Sequence, residues 1–237
     1  DIDYVITIPR SIVLKWAGYR FQKRNNEIII PPYADDLLEH YCGGTFSPRA
    51  KSEIPTIGFA GRAALPFMQS ARLVVKALPT FAQSLFDELA KARLPGVLLR
   101  RRAITVLQHS TRVQLNLLVR DTYSANVKTA RIDQHELIQD FVDNALASDF
   151  GLDVRGDANA TTRLFELLSL GRVPLILDTE RNFPFSDELD YRAFSIIVDV
   201  RDLPQLAERV RSAYDSFSDS EWRTMQEKAR AAYREWF

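Results

Sequence analysis

Cysteine is nearly missing from this chain: the single thiol, Cys42, leaves nothing to pair with in an intramolecular disulfide and excludes a multi-cysteine metal site. Histidine is almost as scarce. His40, His109 and His135 are scattered without ligand spacing, so neither a structural metal nor a metal cofactor is expected. Net charge is missing too. With 31 basic against 31 acidic residues there is no global field to recruit nucleic acid or an anionic membrane, and an anionic ligand has to be met by local cations. No apolar run approaches the ~20 residues needed to cross a bilayer. The opening DIDYVITIPR carries acids where a secretory leader carries cations, and it enters directly into a strand-like run without an initiator methionine. The expectation is a fragment of a longer chain, with localisation left open. There is no internal repeat and no low-complexity tract. No G-x-G-x-x-G opens a helix after the first strand, which counts against a Rossmann oxidoreductase.

What is present suits an α/β domain. The chain has 237 residues, 46% of them apolar, enough for one large core or for one domain plus part of a second. Two apolar runs at 3–9 (DYVITIP) and 27–33 (EIIIPPY) read as strands, with the basic segment 15–26 between them. The stretch YCGGTFSPRAKSEIP at 41–55 reads as a linker. Beyond it strands and helices alternate: strand 54–60, helices 69–78 and 81–92, strand 113–119, helix 134–147, strand 149–154, a helix after 159, strand 173–177, strand 195–200 and helix 203–213. Alternation favours a parallel sheet with right-handed crossovers. Ser218 followed by Glu221 forms a capping box, and Trp222, Met225, Ala229, Tyr233 and Trp236 recur at helical spacing as a packing stripe. The run Arg100, Arg101, Arg102 reads as a solvated cluster or loop and not as a nucleic-acid patch, because net charge is neutral and no aromatics interleave with it.

The densest signal is VRGDANATTRLFELLSLGRVPLIL at 154–177. Arg155 and Gly156 enter a turn, Asp157 or Asn159 can cap the helix that follows, Gly171 can end it, and 173–177 is a buried strand. On that helix Asn159, Arg163, Glu166 and Leu170 share one face, while Leu164, Leu167 and Leu168 form a separate apolar arc. A guanidinium and a carboxylate on one stripe suit a nucleotide, the cation meeting phosphate and the acid meeting ribose hydroxyls. The same spacing on an exposed helix ordinarily gives a solvated ion pair worth about 0.2–0.5 kcal/mol.

The order of these residues resembles the exostosin family of glycosyltransferases, whose C-terminal region carries a segment of the form RGxxNxSxRxYExLxxGRIPV. Arg155, Gly156, Asn159, Arg163, Glu166, Gly171, Arg172 and Pro174 occupy the corresponding places. Three departures stand out: Val154 where proline is common, Ala158 where glycine is common, and Thr161 or Thr162 where serine is usual. Downstream, DTERNFPFSDELDYRAFSIIVDVRDL at 178–203 is similar to the family's continuation. Upstream, EIIIPPY is similar to its DVxIPP segment, and IGFAGR at 57–62 to its strand-to-glycine turn.

The resemblance implies an α/β fold with a Rossmann-like parallel sheet, a GT-B-type C-terminal domain with part of a preceding domain. Residues 1–45 would be the remnant of an acceptor-side domain with its linker, and 46–237 the nucleotide-sugar-binding domain. It implies transfer of a sugar, with inversion, from a nucleotide-diphosphate donor of the UDP-sugar kind to a carbohydrate or other hydroxyl acceptor. The expected donor-binding residues are Arg155, Gly156, Asn159, Arg163 and Glu166, with Gly61 and Arg62 from the earlier turn. No cofactor or metal is implied, since the donor is itself a substrate, and the missing N-terminal domain or a partner would supply the acceptor side. The catalytic base is not identified. Asp157 and Asp178 are available but turn aspartates usually cap; Glu180 and Arg181 stand in a loop where charges are commonly solvated; His109 stands alone. A non-catalytic module that retains the half-fold is the alternative.

Overall fold

The computed structural model describes residues 11–63, 67–120 and 133–237. In chain order the elements are β1 (Val13–Lys15), β2 (Glu27–Ile29), α1 (Leu37–Cys42), β3 (Thr56–Arg62), α2 (Phe67–Gln83), α3 (Glu88–Ala92), α4 (Gly96–Gln108), β4 (Gln114–Arg120), α5 (Gln134–Leu146), β5 (Phe150–Val154), α6 (Arg163–Ser169), β6 (Val173–Asp178), β7 (Ile196–Asp199), α7 (Leu206–Ser216) and α8 (Asp219–Trp236). A five-stranded, all-parallel sheet runs β4-β3-β5-β6-β7. Counted from β3, the order is 2-1-3-4-5, so the direction of winding reverses between β3 and β5.

Burial explains the strand sequences. Every residue of β5 and β6 is buried, as expected of central parallel strands covered on both faces, and both read as nearly continuous apolar runs. On one face Leu99, Ala103 and Leu107 of α4 and Val210 and Tyr214 of α7 pack over Ile57, Phe59, Leu152, Leu175 and Val198. On the other, α5, α6 and α8 cover Ala60 and Ile176. The fold is a Rossmann-like three-layer sandwich of the kind found in GT-B-type domains.

Several boundaries differ from the sequence expectation, each for a local reason. The helix after 159 begins only at Arg163, because Asn159 and Thr161 are committed elsewhere. Asn159 donates to the carbonyls of Gly18 and Thr179, and the Thr161 hydroxyl accepts from the Leu164 amide while donating to Asp153. Gly171, at φ +63°, closes α6 as expected from its tolerance of left-handed backbone. The expected helix 81–92 is divided: α2 runs through Pro79 to Gln83, and α3 starts where the Asp87 carboxylate accepts from the Leu89 amide. Strand β1 forms just ahead of the basic segment, ending at its first residue Lys15, and pairs in parallel with β2, while the expected strand at 3–9 lies outside the described residues. The capping box on α8 forms, with Trp222, Met225, Ala229 and Tyr233 buried.

Residues 11–51 are bound to the sheet domain by side chains far apart in sequence. Leu37 and Leu38 join Phe141, Val142, Leu167 and Leu170 in one core. Arg230 of α8 grips the Asp36 carboxylate at 2.8 and 2.9 Å. Arg20 reaches Asp178 at 2.7 Å and Glu180 at 3.0 Å.

Candidate functional site

Strands β3 and β4 pair along seven residues, but β3 and β5 pair only at Ile57↔Phe150 and Gly58↔Gly151. They part toward their carboxyl ends at the point where the winding reverses, and such a switch point is where open α/β sheets accept ligands. Arg163 of α6 enters the gap. Its guanidinium donates to the Ala60 carbonyl, and it lies 4.9 Å from the Phe59 ring centroid and 5.7 Å from that of Phe141. Gly61, at φ +154°, makes this possible: a Cβ there would stand 2.5 Å from Arg163 Nη2. Gly61 and Arg163, far apart in the chain, are therefore one structural unit. Burial lowers the Arg163 pKa, against the opposing pull of Glu166 and Asp153.

Around Arg163 lies a groove of about 420 Å³. Gly61, Arg62 and Arg100 line one side, the segment from Gly156 to Thr162 without Asn159 lines the other, and Trp16 and Pro32 approach from the N-terminal segment. A recess of about 220 Å³ adjoins it through the shared residues Thr162, Arg163 and Glu166, and is walled by Leu137, Ile138 and Phe141. Glu166 thus faces both spaces. Burial raises its carboxyl above the ordinary range, while the nearby Arg163 charge works in the opposite direction. Among the described residues the Glu166 carboxyl has no hydrogen-bond or ion-pair partner, and it does not form an ion pair with Arg163. Both groups face the groove, and each charge offsets part of the other's burial without a direct ion pair between them.

Not all of the expected residues meet here. Arg155 is buried at 6% exposure, bonded to the Tyr19 hydroxyl and to the carbonyls of Ala92, Gly156 and Asp157, so its guanidinium braces the turn behind the groove. Asn159, at 4% exposure, also accepts from the Thr179 hydroxyl and knots the loops after β5 and β6. Gly156 and Asp157 do line the groove. Asp178 and Glu180 are held by Arg20, and Arg181 is buried in an ion pair with Asp153 at 2.6 Å. His109 is exposed at the end of α4, bonded to its own helix.

Arg100 is the residue that the sequence reading missed. It is buried, donates from Nε to the Val154 carbonyl and from Nη1 to the Arg62 carbonyl, and so joins the ends of β3 and β5 at the groove wall. Arg101 and Arg102 are exposed as expected. A signal was present: Val97, Arg100, Ala103, Ile104 and Leu107 follow the buried face of α4, and only the periodicity, not the charge run, separates Arg100 from its neighbours.

Two comparisons bear on this geometry. The family model described as the Exostosin GT47 domain matches residues 72–213, more than half of the chain, from within α2 into α7. The match includes Arg100 and the whole segment from Arg155 to Glu166, while Gly61 and Arg62 precede it. A search of the curated proteins finds none that matches the chain.

Proposed function

The chain belongs to the exostosin GT47 family of glycosyltransferases, and from that premise we propose that it transfers a sugar from a nucleotide-diphosphate donor, UDP-linked, to a hydroxyl group of a glycan acceptor, with inversion at the anomeric carbon. One observation carries the reading: Arg62, Arg100, Arg163 and Glu166, whose carboxyl has no hydrogen-bond partner among the described residues, line a single groove at the switch point of the sheet. Guanidinium groups offer paired N–H donors that match phosphate oxygens, and partial desolvation strengthens each contact. Glu166 is suited to accept hydrogen bonds from ribose hydroxyls. The groove volume falls within the ~300–1,000 Å³ typical of small-ligand sites.

In this scheme residues 46–237 hold the donor. The acceptor oxygen forms a bond to the anomeric carbon while the bond from that carbon to the diphosphate oxygen breaks. The acceptor proton passes to a base, and the electron pair leaves with the diphosphate, whose charge Arg62, Arg100 and Arg163 stabilise. Arg155 and Asn159 act indirectly, by holding the turn on which Gly156 to Thr162 are displayed.

The test is turnover of a panel of nucleotide sugars, with and without glycan acceptors, by the parent and by Arg163→Ala. Acceptor-dependent release of nucleoside diphosphate, much reduced in the variant, supports transfer. Binding of UDP without release from any donor reassigns the protein as a binding module, and absence of both refutes the proposal.

A further inference from the structure

Helix α2 wears its apolar residues on the outside. At ~100° per residue its inner face centres on buried Ala77, with Leu73 and Phe81 partly buried beside it, and the remaining surface divides into two arcs. One arc holds Met68, Ala71, Val74, Val75, Leu78 and Ala82, all exposed, with Val75 at 63% and Leu78 at 55%. The neighbouring arc holds Arg72, Lys76 and Gln83. Leu85 and Phe86, in the turn that follows, prolong the apolar arc, and Phe86 is 92% exposed.

Along α2 itself the charge has one sign. No Asp or Glu occurs between Glu53 and Asp87, although the chain as a whole is balanced. Arg101 of α4 bonds the Ser70 hydroxyl at 2.7 Å and brings another cation to the first turns of α2. The acids at the far end are engaged, Asp87 capping α3 and Glu88 paired with Lys91 at 2.8 Å. A contiguous apolar helix face is seldom left bare in a soluble protein, and an apolar arc bordered by cations matches acyl chains below and anionic headgroups beside them.

We infer that α2 is an interfacial helix by which this protein lies on the surface of an anionic lipid bilayer, its axis parallel to that surface. Val75, Leu78 and Phe86 enter the acyl boundary, while Arg72 and Lys76 meet the phosphates. None of these residues lines the groove, so membrane binding and donor binding separate cleanly by mutation.

The experiment is flotation of the whole 237-residue chain with vesicles of phosphatidylcholine alone or mixed with phosphatidylserine. The chain floats with the mixed vesicles and is released by salt. Both V75S/L78S/F86S and R72Q/K76Q weaken partitioning by on the order of tenfold or more, while circular dichroism and UDP binding stay as in the parent. Failure of the parent to float with phosphatidylserine overturns the inference, as does parent-like flotation of either variant. A dimer in light scattering that V75S/L78S/F86S converts to monomer also overturns it, because the face then belongs to a second copy.

Discussion

Replacing Gly61 with alanine should disturb the groove by displacing Arg163, without removing any charged side chain that lines it. The added Cβ would lie 2.5 Å from Arg163 Nη2 and 3.3 Å from its Cζ, at a backbone φ of +154°. Displacing the guanidinium forfeits its bond to the Ala60 carbonyl, about 1.5–3 kcal/mol for a charged hydrogen bond, and its stacking on Phe59, about 0.5–1 kcal/mol. Backbone strain adds about 1–3 kcal/mol. A total loss of about 3–7 kcal/mol is expected in urea denaturation, with UDP affinity reduced by about tenfold or more in calorimetry. The double variant Gly61→Ala/Arg163→Ala separates the terms, because removing the arginine removes the clash and leaves only the strain. The two changes should therefore be non-additive by about 2–4 kcal/mol, the bond and stacking energy that each single change removes. Strict additivity, or a Gly61→Ala protein as stable as the parent, would show that Gly61 and Arg163 do not form a unit.

Glu166→Gln tests the buried acid. Its raised pKa means that the folded state holds this proton more tightly than the unfolded chain, so parent stability declines as pH rises from the ordinary carboxylate range through the raised value. Glu166→Gln lacks that decline, is the more stable protein at neutral pH and converges with the parent in acid; parallel pH profiles would contradict this. UDP affinity of the parent climbs over the same window, because the ribose contact needs the carboxylate, and Glu166→Gln shows no such climb. Arg181→Leu leaves Asp153 charged and buried without its partner, and should cost about 3–5 kcal/mol in chemical denaturation. Arg100→Met removes the bonds to the Val154 and Arg62 carbonyls and lowers both stability and UDP affinity, whereas Arg102→Met, on the exposed side of the same helix, changes neither.

Short-range patterns proved legible and long-range commitments did not. The central strands announce themselves because burial on both faces demands long apolar runs such as Val173 to Leu177. The capping box at Ser218 depends on residues three apart, so composition at that spacing suffices. Asn159 is different. An asparagine ahead of an apolar run looks like a cap, and only the arrival of Gly18 and Thr179, distant in sequence, turns it into a tie between loops. Arg155 follows the same logic, since its partner Tyr19 and the Ala92 carbonyl come from elsewhere in the chain. The stripe of Arg163 and Glu166 could be read from helical spacing. The separation of β3 from β5, which gives that stripe a groove to face, is a property of the sheet topology and has no local signature.

Hydrogen–deuterium exchange with saturating UDP tests the central claim most directly, because it reports where the nucleotide sits as well as whether it binds. Protection should concentrate at Ala60 to Arg62 and at Gly156 to Glu166, the two segments that border the groove around Arg163. UDP that binds yet protects only the far end of the sheet, around Asp187 to Arg192, would contradict the account.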